Sequence, residues 1–323
     1  MTFIKKNYKI LIIVLTIVIF ILFLLLTSFT FADLTFDLKN AIKKNDVEKV
    51  KNLIENGATP DANIINQSLK DKNYELFKLL IDTGISIEST DSENISIFSN
   101  ACMYGNKEIV DMLLEKGAYI ETRDSYNNTP IYSAIEKNNV EVVKELIEKG
   151  AELNMYNGAY YTPLMYAASY NFKDIVQLLI DNGAEIEKGS SYKLKAYTPV
   201  LVACSKNSKD ALEVLLKNGA SLDVKSKDGV TPLMFAAGNN AVDVMKYLLV
   251  VNPKLDLDAS SDSTYNALLY AASSGSKEAV EFLISKGADI EYENKDGKTA
   301  LMVAMSKSKK DVVEILKKNG AKK

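Results

Sequence analysis

Two markers locked at a fixed separation constrain this chain more than any other feature. Thr-Pro or a close relative stands at Thr129, Thr162, Thr198, Thr231, Asn266 and Thr299, in steps of 33, 36, 33, 35 and 33. One period before Thr129 stands Ser96. A glycine follows each start at a constant separation, at Gly117, Gly150, Gly183, Gly219, Gly287 and Gly320, and only Asn252-Pro253 breaks that series. Gly57 and Gly84 carry it toward the N-terminus, and the same separation places two more starts at Phe36 and Asn63. The reading is nine units, starting near residues 36, 63, 96, 129, 162, 198, 231, 266 and 299, within residues 33–323. A repeat of this length implies a stack in which each unit buries its apolar face on its neighbours, rather than one central core.

Within a unit the pattern reads helix, turn, helix, polar excursion. Thr162 is placed to cap the first helix through its hydroxyl, and Pro163 sits at the first helical position, where a missing N–H costs nothing. Ala167 and Ala168 let helices approach closely. Ile175, Val176, Leu179 and Ile180 form a buried stripe on the second helix, and Val142, Val143, Leu146 and Ile147 fill the same slots one unit earlier. The glycine then ends the helix in a left-handed conformation. A run such as residues 225–229 reads as a turn.

These features, Thr-Pro-Leu/Ile, the alanine pair, the apolar helix and Gly-Ala, resemble the ankyrin-repeat family over residues 33–323. The resemblance implies an all-α solenoid of helix pairs carrying hairpin fingers, whose usual business is binding other proteins. The chain departs from the family pattern in places. The family's histidine after Thr-Pro-Leu is Tyr132, Met165, Leu201, Met234, Leu269 or Met302 here. Asn252-Pro253 replaces the helix-ending glycine of the seventh unit, and a residue before proline is biased away from helical angles. The step from Phe36 to Asn63 is shorter than any other, so the finger of the second unit is expected to be missing or shortened. Lys49 and Lys317 stand where internal units carry apolar residues, as terminal units with one solvated face require.

Residues 1–32 are of another kind. No charge occurs from Ile10 to Ala32, and Lys5, Lys6 and Lys9 precede that run. It is long enough to span a hydrocarbon core, and the basic flank places the N-terminus in the cytoplasm. Two outcomes stay open. An uncleaved signal anchor would hold the array on the non-cytoplasmic side of the membrane. A signal peptide cleaved after Ala32 would leave it secreted or periplasmic. No cysteine follows the run, which argues against a lipoprotein anchor.

The residue inventory bears on chemistry. The chain has no histidine, which removes Ser-His and Cys-His nucleophiles and histidine-ligated zinc. It shows no phosphate-cradling glycine motif. Arg123 is the single arginine and the net charge is −3, a poor match for nucleic acid. A noncatalytic protein with no cofactor, metal or small-molecule substrate is expected. Cys102 and Cys204 occupy the same slot three units apart, beyond the reach of a disulfide, and read as small core residues. Asn66, Asn94 and Asn127 stand in glycosylation sequons, whose use depends on the cell that makes the chain; the last two overlap unit starts, which favours a structural reading there.

By the family pattern, a protein partner would meet the finger tips and the exposed side of the first helices. Those places carry Tyr104, Tyr126, Tyr160, Tyr161, Tyr170, Tyr192, Tyr197 and Tyr265 among serine, asparagine and glycine. A stripe of Tyr166, Phe235 and Tyr270 lies beside them. Rigid amphipathic rings among adaptable polar groups suit protein recognition, although the same side chains could simply cover the neighbouring inner helix. The longer fingers at residues 187–197 and 256–265 are expected to protrude. Two functions are carried forward: an interaction scaffold at the membrane through residues 10–32, or a structural envelope component acting by self-association.

Overall fold

The computed structural model describes residues 16–18, 34–190 and 197–322. Apart from residues 16–18, which are helical, the apolar N-terminal run lies outside the described residues. Among the described residues no helix is long and apolar enough to cross a membrane.

Helices alternate in two rows. The inner row is α1 (residues 34–43), α3 (Ala62–Lys70), α5 (Ile97–Tyr104), α7 (Pro130–Glu136), α9 (Pro163–Ser169), α11 (Pro199–Ser205), α13 (Pro232–Gly238), α15 (Ala267–Ser274) and α17 (Ala300–Ser306). The outer row is α2 (Val47–Glu55), α4 (Tyr74–Ile81), α6 (Lys107–Glu115), α8 (Val140–Glu148), α10 (Lys173–Asp181), α12 (Lys209–Lys217), α14 (Val242–Val251), α16 (Lys277–Ser285) and α18 (Lys310–Lys318). From α3 onward each inner helix packs on the next inner helix and, with its outer partner, forms one layer of a stack. The alanines do what their size allows: Ala167, Ala168, Ala236 and Ala237 are fully buried between inner helices. The apolar stripes of the outer helices close the core from the other side, with Ile175, Val176 and Leu179 fully buried. Cys102 and Cys204 are buried and free, and Lys49 and Lys317 are exposed.

Inner helices begin as the residue pattern predicts. The Thr162 hydroxyl accepts from Met165 N–H at 3.2 Å, and Thr198 and Thr231 do the same for Leu201 and Met234. Thr129 is the exception: its hydroxyl is buried and has no hydrogen-bond partner. Valine keeps the threonine shape but cannot cap. Thr162→Val should therefore lose about 1 kcal/mol in urea unfolding, while Thr129→Val is neutral or stabilising. Equal losses at the two sites would contradict this account.

Outer helices are capped in two different ways. In the N-terminal half each helix is capped by its own preceding residue: Asp46, Asn73, Asn106 and Asn139 accept from the first turns of α2, α4, α6 and α8. Helices α12, α14 and α16 have no such cap of their own. An asparagine from the preceding unit reaches across instead. Asn171 Oδ1 accepts from Ala211 N–H at 2.9 Å, Asn207 from Val244 at 3.2 Å and Asn240 from Ala279 at 3.0 Å. Each capping asparagine has a left-handed backbone, at φ 61, 55 and 57 respectively.

A second set of cross-unit bonds runs along the finger bases. From Gly84 onward, the side chain four residues after a helix-ending glycine accepts the backbone N–H two residues after the next such glycine. Glu88 takes Tyr119, Glu121 takes Glu152, Asn154 takes Glu185, Glu187 takes Ser221 and Glu291 takes Lys322. The series is interrupted at the seventh unit. Asn252 there is extended at φ −128, and its own side chain accepts from Lys254 N–H at 3.2 Å. The series resumes with Asp258, which accepts from Asp289 N–H at 3.2 Å.

The structure departs from three expectations. The second unit starts at Asp61, which caps α3, rather than at Asn63, because its inner helix is nine residues long. The finger ahead of it is shortened, as the short step predicts, with residues 56–61 alone between α2 and α3. The fingers are tight loops rather than hairpins of paired strands, and among the described residues the one extended pairing is a bridge between Thr90 and Ser96. Finally, residues 256–265 do not protrude as a whole. Leu257 and Ala259 pack on the core, and Ser261 and Thr264 are buried. The two extra residues are taken up at the finger base, since Asp258 rather than Asp256 holds the cross-unit bond.

Candidate protein-binding surface

One local rule builds the fingers. The residue five before a unit start donates its N–H to the carbonyl four residues on, as Asp124 does to Asn128 at 3.1 Å and Asn157 to Tyr161 at 3.0 Å. Its side chain accepts two N–H groups inside the same loop: Asp124 takes Tyr126 and Asn128, and Asn157 takes Ala159 and Tyr161. This geometry forces a left-handed residue two before the start. Asn94, Asn127, Gly229 and Gly297 fill that slot, with φ of 61, 59, 72 and 67. Tyr160 and Thr264 fill it too, at φ 60 and 59. A left-handed backbone costs a side chain such as tyrosine roughly 1–2 kcal/mol, a strain that glycine avoids. Tyr160 stands there with 40% of its surface exposed.

The aromatic residues gather into separate groups. The largest joins the fourth and fifth units: Tyr132 and Tyr166 meet edge to face at 5.3 Å, Tyr166 and Tyr170 at 5.1 Å, and Tyr170 stacks on Phe172 at 5.4 Å. Tyr197 meets Phe235 at 5.1 Å between the sixth and seventh units, and Tyr265 meets Tyr270 at 5.6 Å within the eighth unit. Tyr104 stands apart under two cations, Lys70 and Lys137, at 5.9 and 5.4 Å from its ring. Tyr126 and Tyr170 are exposed at 71% and 46%. Tyr161, Tyr166, Tyr197, Phe235, Tyr265 and Tyr270 are half-buried, so they cover inner helices as well as facing solvent. Burial raises the phenol pKa of Tyr161, and burial together with the Tyr170 hydroxyl raises that of Tyr166, so both stay protonated hydrogen-bonding groups. Tyr192 lies outside the described residues.

Two residues hold the Tyr160 finger in place, and neither was among the sequence candidates. Tyr132 is 1% exposed, and its hydroxyl lies 2.7 Å from Met155 O and 2.6 Å from Tyr161 O, the two ends of that loop. Its occupation of a slot held elsewhere by methionine or leucine was the available signal. Arg123 donates to Asn127 O at 3.0 Å and to Tyr156 O at 3.4 Å, tying one finger to the next.

A family model described as ankyrin repeats (3 copies) matches the chain in overlapping stretches, 38–157, 119–190, 187–261 and 250–323. No curated protein matches in a sequence comparison. Among 571 matching solved chains is the crystal structure of the human ASB11 ankyrin repeat domain. It has 24% identity and a TM-score of 0.58, and the match covers 71% of this chain and 99% of that one. At that identity the likeness speaks for the fold alone. The helix pairs, the left-handed glycines and the family model over residues 38–323 agree: this chain belongs to the ankyrin-repeat family.

Proposed function

We propose that this chain is a noncatalytic scaffold that captures a protein partner on the fingers and inner helices of its fourth to eighth units. Nine units would form the array, and residues 10–32 would tether it to the cytoplasmic membrane or direct its export. The observation that carries the reading is Tyr160. A strained, part-exposed tyrosine occupies a slot that asparagine or glycine fills at lower cost elsewhere in the same chain. Strain of this kind persists where function requires the side chain. Tyr126 and Tyr170 are exposed as well, and Gly158 N–H donates to Tyr126 O at 2.8 Å, which sets Tyr126 beside the Tyr160 finger.

The test is co-purification with the full chain from its native cells, compared with a Tyr126→Ser, Tyr160→Asn, Tyr170→Ser variant. Partner recovery is expected to fall at least about tenfold, the scale of one or two aromatic anchors, while thermal stability holds or rises. Undiminished recovery would overturn the site. The mass of the mature protein separates the two membrane outcomes, since cleavage after Ala32 removes residues 1–32.

A further inference from the structure

The seventh unit breaks a second rule besides its glycine. Each outer helix ends in two solvent-facing slots, the pair immediately before the helix-ending glycine. Glu115-Lys116, Glu148-Lys149 and Ser285-Lys286 are typical, and every other unit also places polar residues there. The seventh unit has Val250 and Val251, 74% and 44% exposed. Valines this exposed add little to the core, so folding does not account for them. They lie where the finger-base bond is missing and where the two extra residues have been taken up.

These departures together form a groove on the outer face, between the ends of α14 and α16. Leu249, Val250, Pro253, Leu255, Leu257 and Phe282 line it, and its volume is about 630 Å³. Lys246 and Lys286 are its only charged lining residues. The Lys286 ammonium lies 5.7 Å from the Phe282 ring, and Asp243, 3.9 Å from Lys246 Nζ, screens that lysine in part. Leu255 also lines a smaller crevice of about 150 Å³ on the finger side of the break.

We infer that this groove is a second docking site, taking a segment of a partner protein that presents bulky apolar side chains flanked by carboxylates. Apolar lining rimmed by polar groups marks interaction surfaces. The positive rim selects an acidic occupant and rejects a basic one. The chain's own apolar N-terminal run carries Lys5, Lys6 and Lys9 beside it, the wrong sign for this rim. A recess between two helix ends receives inserted side chains, whereas a flat bilayer would meet only its edges.

The probe is a phage-displayed library of random 12-residue peptides, selected on the full chain immobilised in nonionic detergent and counter-selected on Val250→Glu. Because Val250 is largely exposed, that substitution leaves the core intact, which a thermal melt verifies. Enriched peptides are expected to carry two or more large apolar residues and net negative charge. The synthesised consensus should bind the Val250→Glu and Lys246→Glu/Lys286→Glu variants at least tenfold more weakly. Failure to enrich over the counter-selection, or a basic consensus, would overturn the inference. So would self-association that Val250→Glu abolishes, or flotation with phosphatidylglycerol vesicles that depends on Val250, since the occupant would then be a second copy or a lipid surface. Substitutions at Tyr126, Tyr160 and Tyr170 should leave peptide binding unchanged, so the two sites fail independently.

Discussion

Tyr132→Ala is expected to destabilise the array by about 3–5 kcal/mol, a large share of the stability of any folded domain. The ring is buried and packs edge to face on Tyr166, so its removal leaves a cavity between the fourth and fifth units. Tyr132→Phe isolates the hydroxyl. It keeps the ring and removes only the donor that Met155 O and Tyr161 O share. The cost should be about 1–3 kcal/mol, because Met155 O loses this donor and Tyr161 O keeps only Asn157 N–H. Binding should weaken further than stability does. The loop released at both ends is the one that presents Tyr160, so partner affinity falls even at temperatures where Tyr132→Phe is fully folded. Denaturant unfolding and partner binding, measured on the same samples, check both statements. A Tyr132→Phe variant with native affinity would show that the finger is held without this contact.

Asn171→Gly, Asn207→Gly and Asn240→Gly combined should remove about 3 kcal/mol, near 1 kcal/mol for each lost cap. Glycine accepts the same left-handed backbone, so the loss reports the side-chain bond rather than strain. Asn138→Gly is the control. It shares the slot and a left-handed φ of 54, and should cost little. The lost bonds cross interfaces between units, and repeat arrays derive their cooperativity from those interfaces. Circular dichroism melts of the triple variant should therefore broaden as well as shift. A sharp transition at an unchanged midpoint would refute the cross-unit capping.

The features legible in the sequence are local to one unit. Thr162, Pro163 and the left-handed glycines announce where helices start and stop, because those signals act within a few residues of themselves. The alanine pair and the apolar stripes likewise tell which faces are buried. The asparagine caps are not legible, since Asn171 and Ala211 are 40 residues apart and meet only once the units stack. Tyr132 stands out as a departure from the family, but its partners lie in the next finger. The extra residues at 256–265 suggest a longer finger tip, because a count does not say where in a loop an insertion is absorbed. The candidate tyrosines divide for a related reason. Register assigns a face, but only packing decides whether Tyr166 is cover for a helix or Tyr170 an exposed edge.

The interrupted series of finger-base bonds has a mechanical meaning. From Glu88 to Ser221, and again from Asp258 onward, each finger is tied to the next by a bond lying along the stack. Tension applied between the ends of the molecule is shared by these ties until it reaches residues 252–257, where this tie is missing and the load falls on helix packing, the asparagine caps and the bond from Asp262 N–H to Asp228 O. The array is therefore expected to yield first at this one short stretch when it is pulled from its ends.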